Sequence, residues 1–117
     1  MSKPAFHPRS VNGELMPLDV PYTPFIYEAG TEVHRFALHK SLSNLPEAHK
    51  QWEISEPVTG MHVRTVVGSF KGVPVSSRGM TTVRARQAAR ATLDEFLERV
   101  GSDKFNTTIA QAKEKFK

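Results

Sequence analysis

Alternation of apolar and polar residues in the middle of the chain predicts a run of antiparallel strands. Residues 61–67 alternate with the period of two that is typical of a half-buried strand, and residues 52–55 alternate in the same way. If Val63 and the other apolar side chains of residues 61–67 face a core, His62 and Arg64 face outward, because successive side chains of a strand point to opposite faces. We therefore expect neighbouring strands with a polar outer side.

A hairpin is predicted directly after these strands. Lys71-Gly72 suits a tight two-residue turn, since glycine adopts positive φ without steric cost. Val73 and Val75 then continue a further strand. Because Pro74 has no N–H to donate, this strand should lie at a sheet edge or pair on one side only.

Beyond Gly79 the apolar period becomes helical. Thr81 or Thr82 can cap a helix over residues 81–100, and Gly101 stands where such a helix ends. Ser102 can cap a last helix over residues 103–116. The two apolar stripes are Ala85, Ala89, Thr92, Phe96 and Val100 in the first helix, and Phe105, Ile109, Ala112 and Phe116 in the second.

These elements together predict the fold class. We expect an α+β protein in which an antiparallel three- or four-stranded meander is followed by two C-terminal helices packed on one sheet face. The opposite sheet face is then expected to be solvated.

The start of the chain has a different character, since residues 1–24 hold five of the eight prolines. Proline fixes φ and disfavours helix at the preceding residue, so we predict an extended arm over residues 1–24 and a single α+β domain over residues 25–117. The arm is expected to be loose at its start and docked near its end through Leu15, Leu18 and Phe25.

Residues 31–43 admit two interpretations. They can contribute to two short strands around the turn at Gly30, or Thr31 can cap a helix running towards Leu42. Strands are favoured, because a helical projection spreads the apolar residues of this segment over two faces.

Composition restricts the class of protein. The 117 residues, 38% of them hydrophobic and none of them cysteine, suit one domain without disulfides or thiolate sites. No apolar run approaches the roughly 18 residues of a membrane span, and no secretory signal follows Met1, so we expect a cytoplasmic protein without membrane contact.

Charge is distributed unevenly along the sequence. Residues 1–56 hold seven acidic and five basic residues, whereas residues 57–93 hold six basic residues and no acidic one. Such asymmetry suggests an anionic partner. The six cations are Arg64, Lys71, Arg78, Arg84, Arg86 and Arg90.

Motifs of enzymes and metal proteins are missing from the sequence. His34 and His39 are five positions apart, which fits neither the i, i+4 pair of a helical metal site nor one face of a strand. There is no nucleophile elbow, P-loop or dinucleotide fingerprint, and the glycines near Lys71 suit a hairpin. The sequence therefore predicts a non-enzymatic protein with no metal and no cofactor.

The leading functional hypothesis is a small nucleic-acid-binding or regulatory protein, with DNA or RNA as its partner. The basic face of residues 61–78 and the helix 81–100 would contact phosphates. The residues expected to make these contacts are Arg64, Arg78, Arg84, Arg86 and Arg90. The alternative is a protein-interaction or assembly module that uses the amphipathic terminal helix 103–116.

Residues 60–97, about a third of the chain, resemble the second half of a double-stranded RNA-binding domain. Gly60-Met61-His62 stands near that family's loop histidine, and residues 85–89 resemble its alanine-rich helix. The sequence departs from the family at 81–83, where Thr-Thr-Val replaces a pair of lysines. The same strand-strand-helix order resembles the small arm-binding domains of tyrosine recombinases.

Overall fold

A computed structural model of the protein describes residues 3–10, 12–43 and 45–116. In chain order these residues form β1 (Ala5–Phe6), β2 (Val20–Pro21), β3 (Thr23–Ala29), β4 (Glu32–Lys40), a 3₁₀ turn (Glu47–His49), β5 (Trp52–Glu56), β6 (Met61–Thr65), β7 (Val67–Phe70), β8 (Val73–Ser76), α1 (Thr82–Val100) and α2 (Ser102–Lys115).

The centre of the fold is an antiparallel meander of four strands in the order β3-β4-β5-β6, followed by the two helices. Two further ladders, β1-β2 and β7-β8, lie outside this sheet. The predicted α+β class with a meander and two C-terminal helices is thereby confirmed. Neither helix in the described part of the chain combines the length and apolar character needed to cross a membrane.

Of residues 31–43, Glu32–Lys40 form strand β4, as the strand interpretation predicts. β3 and β4 pair directly across a tight turn, with Phe25 opposite Phe36 and Tyr27 opposite His34. Phe25 and Phe36 are both buried against the helices, whereas the intervening Ile26 is exposed. Within β4, Phe36 and Leu38 are buried on the side of the helices, whereas Val33 is exposed on the opposite face.

The main core lies between the sheet and α1. Ala85, Ala89 and Leu93 are the buried positions of α1, and the two alanines let the helix approach the sheet closely. Thr81 caps the helix by accepting the N–H of Arg84 at 3.3 Å. Trp52 holds the chain that enters α1, since its indole N–H donates to the Met80 carbonyl at 3.0 Å.

The second sheet face is solvated only in part, which narrows the expectation from the sequence. Ile26, Val33 and Arg35 are exposed on it, whereas the end around Ala37 is covered. β1 and β2 fold across it, and Phe6, Val20 and Ala37 form a small buried cluster there. The start of the arm is therefore docked, through Phe6, which is only 4% exposed. Of the three expected anchors, Leu15 and Leu18 are exposed, whereas Phe25 is buried in the main core.

Strand β6 is shorter and less regular than predicted. It ends at Thr65, and Val67 opens a separate hairpin whose turn has Lys71 and Gly72 at positive φ, as the sequence indicates. The β5–β6 register shifts so that Arg64 pairs with Ile54 while His62 pairs with Ser55. The extra residue between them reverses the face on which Arg64 lies.

Both helices begin and end within one residue of the predicted bounds, 81–100 and 103–116. The predicted cap of α2 differs from the observed one. Gly101, at a φ of 85°, both ends α1 and precedes α2, and its N–H donates to the Leu97 carbonyl. Ser102 lies inside α2 rather than capping it.

A buried histidine on the arm side is expected to make the stability of the protein depend on pH. His39 Nδ1 lies 2.8 Å from the Lys40 carbonyl and therefore donates to it, which leaves Nε2 to accept from Ser55 Oγ at 2.8 Å. Burial lowers the pKa of His39 below its ordinary value of 6.5. The Lys40 carbonyl and Glu53 oppose that shift, and the nearby His62 adds to it.

Because the native pKa is lowered, the unfolded chain binds the proton more readily. The free energy of unfolding should therefore fall as the pH drops from about 6.5 towards the native pKa of His39. Urea unfolding of the wild type and of His39→Gln at several pH values between about 7 and 5 checks this. We expect a smaller pH slope in the variant, with exposed His49→Gln as the control; equal slopes would contradict the assignment.

Candidate nucleic-acid interface

The first half of α1 is the most strongly basic helical surface in the described part of the chain. Arg84, Arg86 and Arg90 are all exposed there, and the first turn of the helix contains no acidic residue. Arg78 precedes the helix and is also exposed. Its backbone N–H donates to Ser76 Oγ at 3.2 Å. The helix dipole adds a partial positive charge at the N-terminus of α1, next to these arginines.

These arginines do not form one flat face. Arg84 and Arg86 are two positions apart, which is about 200° around a helix axis. Arg84 begins the ridge that continues through Ala88 to Thr92, and Thr92 Oγ1 contacts the Val67 N–H and carbonyl of β7 at 3.1 and 3.2 Å. Arg84 therefore lies on the ridge that leads to the hairpin.

A second ridge runs along the opposite flank of α1. Arg86 and Arg90 are one turn apart, and Arg90 donates to the Ile26 carbonyl of β3 at 3.2 Å. The guanidinium of Arg90 also lies 5.4 Å from the centre of the Phe25 ring. Gln87 is exposed between the two ridges. The charge pattern of the sequence did not single out Gln87. Its i+3 spacing from Arg84 does place it beside that arginine on the helix surface.

Asp94 is the carboxylate nearest in sequence to these arginines, and it lies exposed one turn beyond Arg90. Tyr27 Oη donates to Asp94 Oδ1 at 2.7 Å. Burial, together with the Asp94 carboxylate, raises the pKa of Tyr27 well above its ordinary value, so the hydroxyl remains a donor. Within residues 3–10, 12–43 and 45–116 the ion pairs are His7–Asp19, Lys40–Glu47 and Lys50–Glu47, and none involves an arginine of α1.

Arg64 is separated from the other arginines. The register shift in β6 turns it towards the helices, where it is half-buried with its guanidinium 4.3 Å from the centre of the Phe96 ring. Arg99 approaches the same ring, at 5.9 Å. The outward position expected for Arg64 is therefore wrong, and we read this residue as part of the packing between β6 and α1.

The β7–β8 hairpin carries an exposed aromatic residue. Phe70 is 64% exposed near the turn, with the Lys71 ammonium 5.5 Å from the centre of its ring. Phe70 lies on the β7–β8 hairpin and Arg64 lies on β6 of a different sheet, so the two do not form one face. β8 pairs with β7 alone among the described strands, as Pro74 predicts.

The two buried histidines, His34 and His39, serve as structural hydrogen-bonding groups. His34 Nε2 lies 2.6 Å from Asn106 Oδ1, and Asn106 donates to the Ala29 carbonyl at 2.8 Å, which ties α2 to the β3–β4 turn. Among the described residues no three His, Cys, Asp or Glu side chains gather into a potential metal site.

No protein-family model, curated protein or solved structure matches the chain. The structure of residues 60–97 also differs from what their resemblance to RNA-binding and recombinase domains implies. His62 lies on β6 rather than in a loop, and β6 and β7 belong to different sheets. The function is therefore inferred from the positions and charges of the residues themselves.

Proposed function

We propose that this protein binds double-stranded DNA by placing the first half of α1 in the major groove. The observation that carries the proposal is the pair of arginine ridges, Arg84 on one flank and Arg86 with Arg90 on the other. An α-helix is about 10–12 Å in diameter and the major groove about 12 Å wide, so flanking cations can reach the phosphates of both strands.

Two further features support this proposal. No acidic residue occurs within residues 57–93, so a phosphate approaching α1 meets no carboxylate from that segment. The α1 arginines also make no ion pair within the described ranges of the chain, so binding DNA would not first require one to break. Counterion release from the DNA then supplies most of the binding free energy.

The same geometry favours DNA over duplex RNA. The major groove of A-form RNA is too deep and narrow for a helix to enter, and proteins reach duplex RNA mainly through its minor groove. Gln87, between the two ridges, would face the base edges and could read an adenine, whereas the arginines position the protein without reading sequence.

Salt dependence of binding tests the proposal. If Arg78, Arg84, Arg86 and Arg90 each neutralise one phosphate, log K should fall against log salt with a slope of about −3.6 on duplex DNA. Replacing Arg84 and Arg90 together with glutamine should weaken binding to all sequences alike and reduce the slope by about 1.8. Fluorescence anisotropy at several salt concentrations measures both quantities.

A double variant of equal charge provides the control. Arg35→Gln/Lys113→Gln removes two exposed cations from other surfaces and should leave the slope nearly unchanged. Binding that is absent at about 50 mM salt, that ignores salt, or that weakens equally in both double variants would contradict the proposal.

The alternative of an interaction module built on residues 103–116 has less support from the contacts of α2. Phe105 is buried in the chain's own core, and Ile109 packs against that core. Phe116 lies under Arg9, whose guanidinium is 3.9 Å from the centre of its ring. Little of the apolar stripe is left for a partner.

A further inference from the structure

An apolar cavity lies between the helical layer and the β5–β6 end of the sheet, away from the proposed DNA-binding half of α1. Its volume is about 170 Å³, and it opens to solvent on one side. Met61 and Val63 of β6 and Phe96 and Val100 of α1 form one part of its wall. The remaining apolar wall belongs to α2 and consists of Phe105, Ile109 and Ala112.

Five polar side chains line the cavity. Glu56 and Thr59 are buried, whereas His62, Lys104 and Thr108 are exposed. Glu56 is buried, and its two carboxylate oxygens accept the N–H groups of Thr59 at 2.8 Å and Val58 at 3.2 Å. Thr59 Oγ1 accepts the Met61 N–H at 3.3 Å. Lys104 is exposed, so its ammonium can reach solvent at the opening.

These contacts make the cavity a poor site for ordered water. A buried water needs two to four polar partners, and no buried side-chain nitrogen or oxygen in the described part of the chain lacks a partner. Protein interiors otherwise contain few voids larger than a water molecule. An apolar occupant would therefore restore contacts that the cavity walls lack.

We propose that this cavity binds a small, uncharged, apolar molecule the size of a single aromatic ring. An engineered apolar cavity of about 150 Å³ in another protein stays dry and binds benzene, so 170 Å³ accommodates one ring. No buried side-chain nitrogen or oxygen in the described part of the chain lacks a partner, so the inner wall of the cavity offers little to a charged or strongly hydrated ligand. This inference is independent of the proposed DNA binding.

Benzene is the probe for the test, with methyl chemical shifts as the measurement. Titration should shift the methyl signals of Met61, Val63, Val100 and Ile109 saturably, while those of the exposed Val33 and Val58 stay in place. At ten times its dissociation constant, benzene should lower the unfolding equilibrium constant about 11-fold. Absent shifts, or shifts that spread equally to Val33 and Val58, would overturn the proposal.

A cavity-filling variant gives a second, independent measurement. Ala112→Leu adds three carbons at a half-buried position in the cavity wall, and should abolish the benzene shifts. Ala110→Leu makes the same change at an exposed position of α2 and should leave them intact. Benzene shifts that persist in Ala112→Leu, or that disappear in Ala110→Leu as well, would place the ligand elsewhere and refute the assignment.

Discussion

Replacing Phe105 with alanine should lower the free energy of unfolding by about 4 kcal/mol, because it removes the side chain of α2 that is buried in the core. Phe105 is only 4% exposed. Its ring makes edge-on contacts with four aromatic rings, and each such pair contributes beyond the burial of apolar area. Those four rings are Tyr27, His34, Phe36 and Phe96.

Urea unfolding followed by circular dichroism measures this effect, and Phe70→Ala is the matched control. It makes the same chemical change at a position that is 64% exposed, where we expect a loss of about 0.5 kcal/mol or less. If both variants lost the same stability, or if Phe105→Ala remained folded with a loss under about 1 kcal/mol, α2 would not be anchored in the core as described.

Replacing Gly60 with alanine should cost about 3 kcal/mol and release the N-terminal segment from the sheet. Gly60 has a φ of 78°, and a Cβ built on it would collide with the carbonyl oxygen of His7. The obstacle is backbone rather than a flexible side-chain end. The Arg9 N–H also donates to the Gly60 carbonyl at 2.7 Å, so the collision falls where the arm is attached.

Gly72→Ala is the control that separates the cost of the steric collision from the cost of the left-handed backbone conformation. Gly72 has a similar φ of 80°, but a Cβ there meets no atom within 4 Å, so only the left-handed conformation is penalised, by about 1 kcal/mol. Denaturation gives the two losses, and amide hydrogen exchange at Phe6 and Val20 reports whether the arm has detached. Equal losses in the two variants, with protection at Phe6 unchanged, would contradict the docking of the arm over Gly60.

Local patterns in the sequence determined the elements of the fold. The period of two in residues 52–55 and 61–67, the Lys71-Gly72 turn and the helical stripes after Thr81 each depend on neighbours within a few positions. Such patterns also predicted that the elements form a meander followed by two helices. The concentration of cations in residues 57–93 is likewise a property of the sequence alone. The division at residue 24 and the nucleic-acid partner stay predictions.

The tertiary structure decided which side chains share a surface. One extra residue in β6 reverses the face of Arg64, and a register shift of this kind arises from pairing with β5 rather than from any local signal. The docking of Phe6 beneath the sheet depends on Ala37, more than thirty residues away in the chain. The cavity beside Ala112 exists because two helices and a strand meet with unfilled space. Sequence patterns report local conformation, whereas faces, docking and cavities depend on contacts between residues distant in the chain.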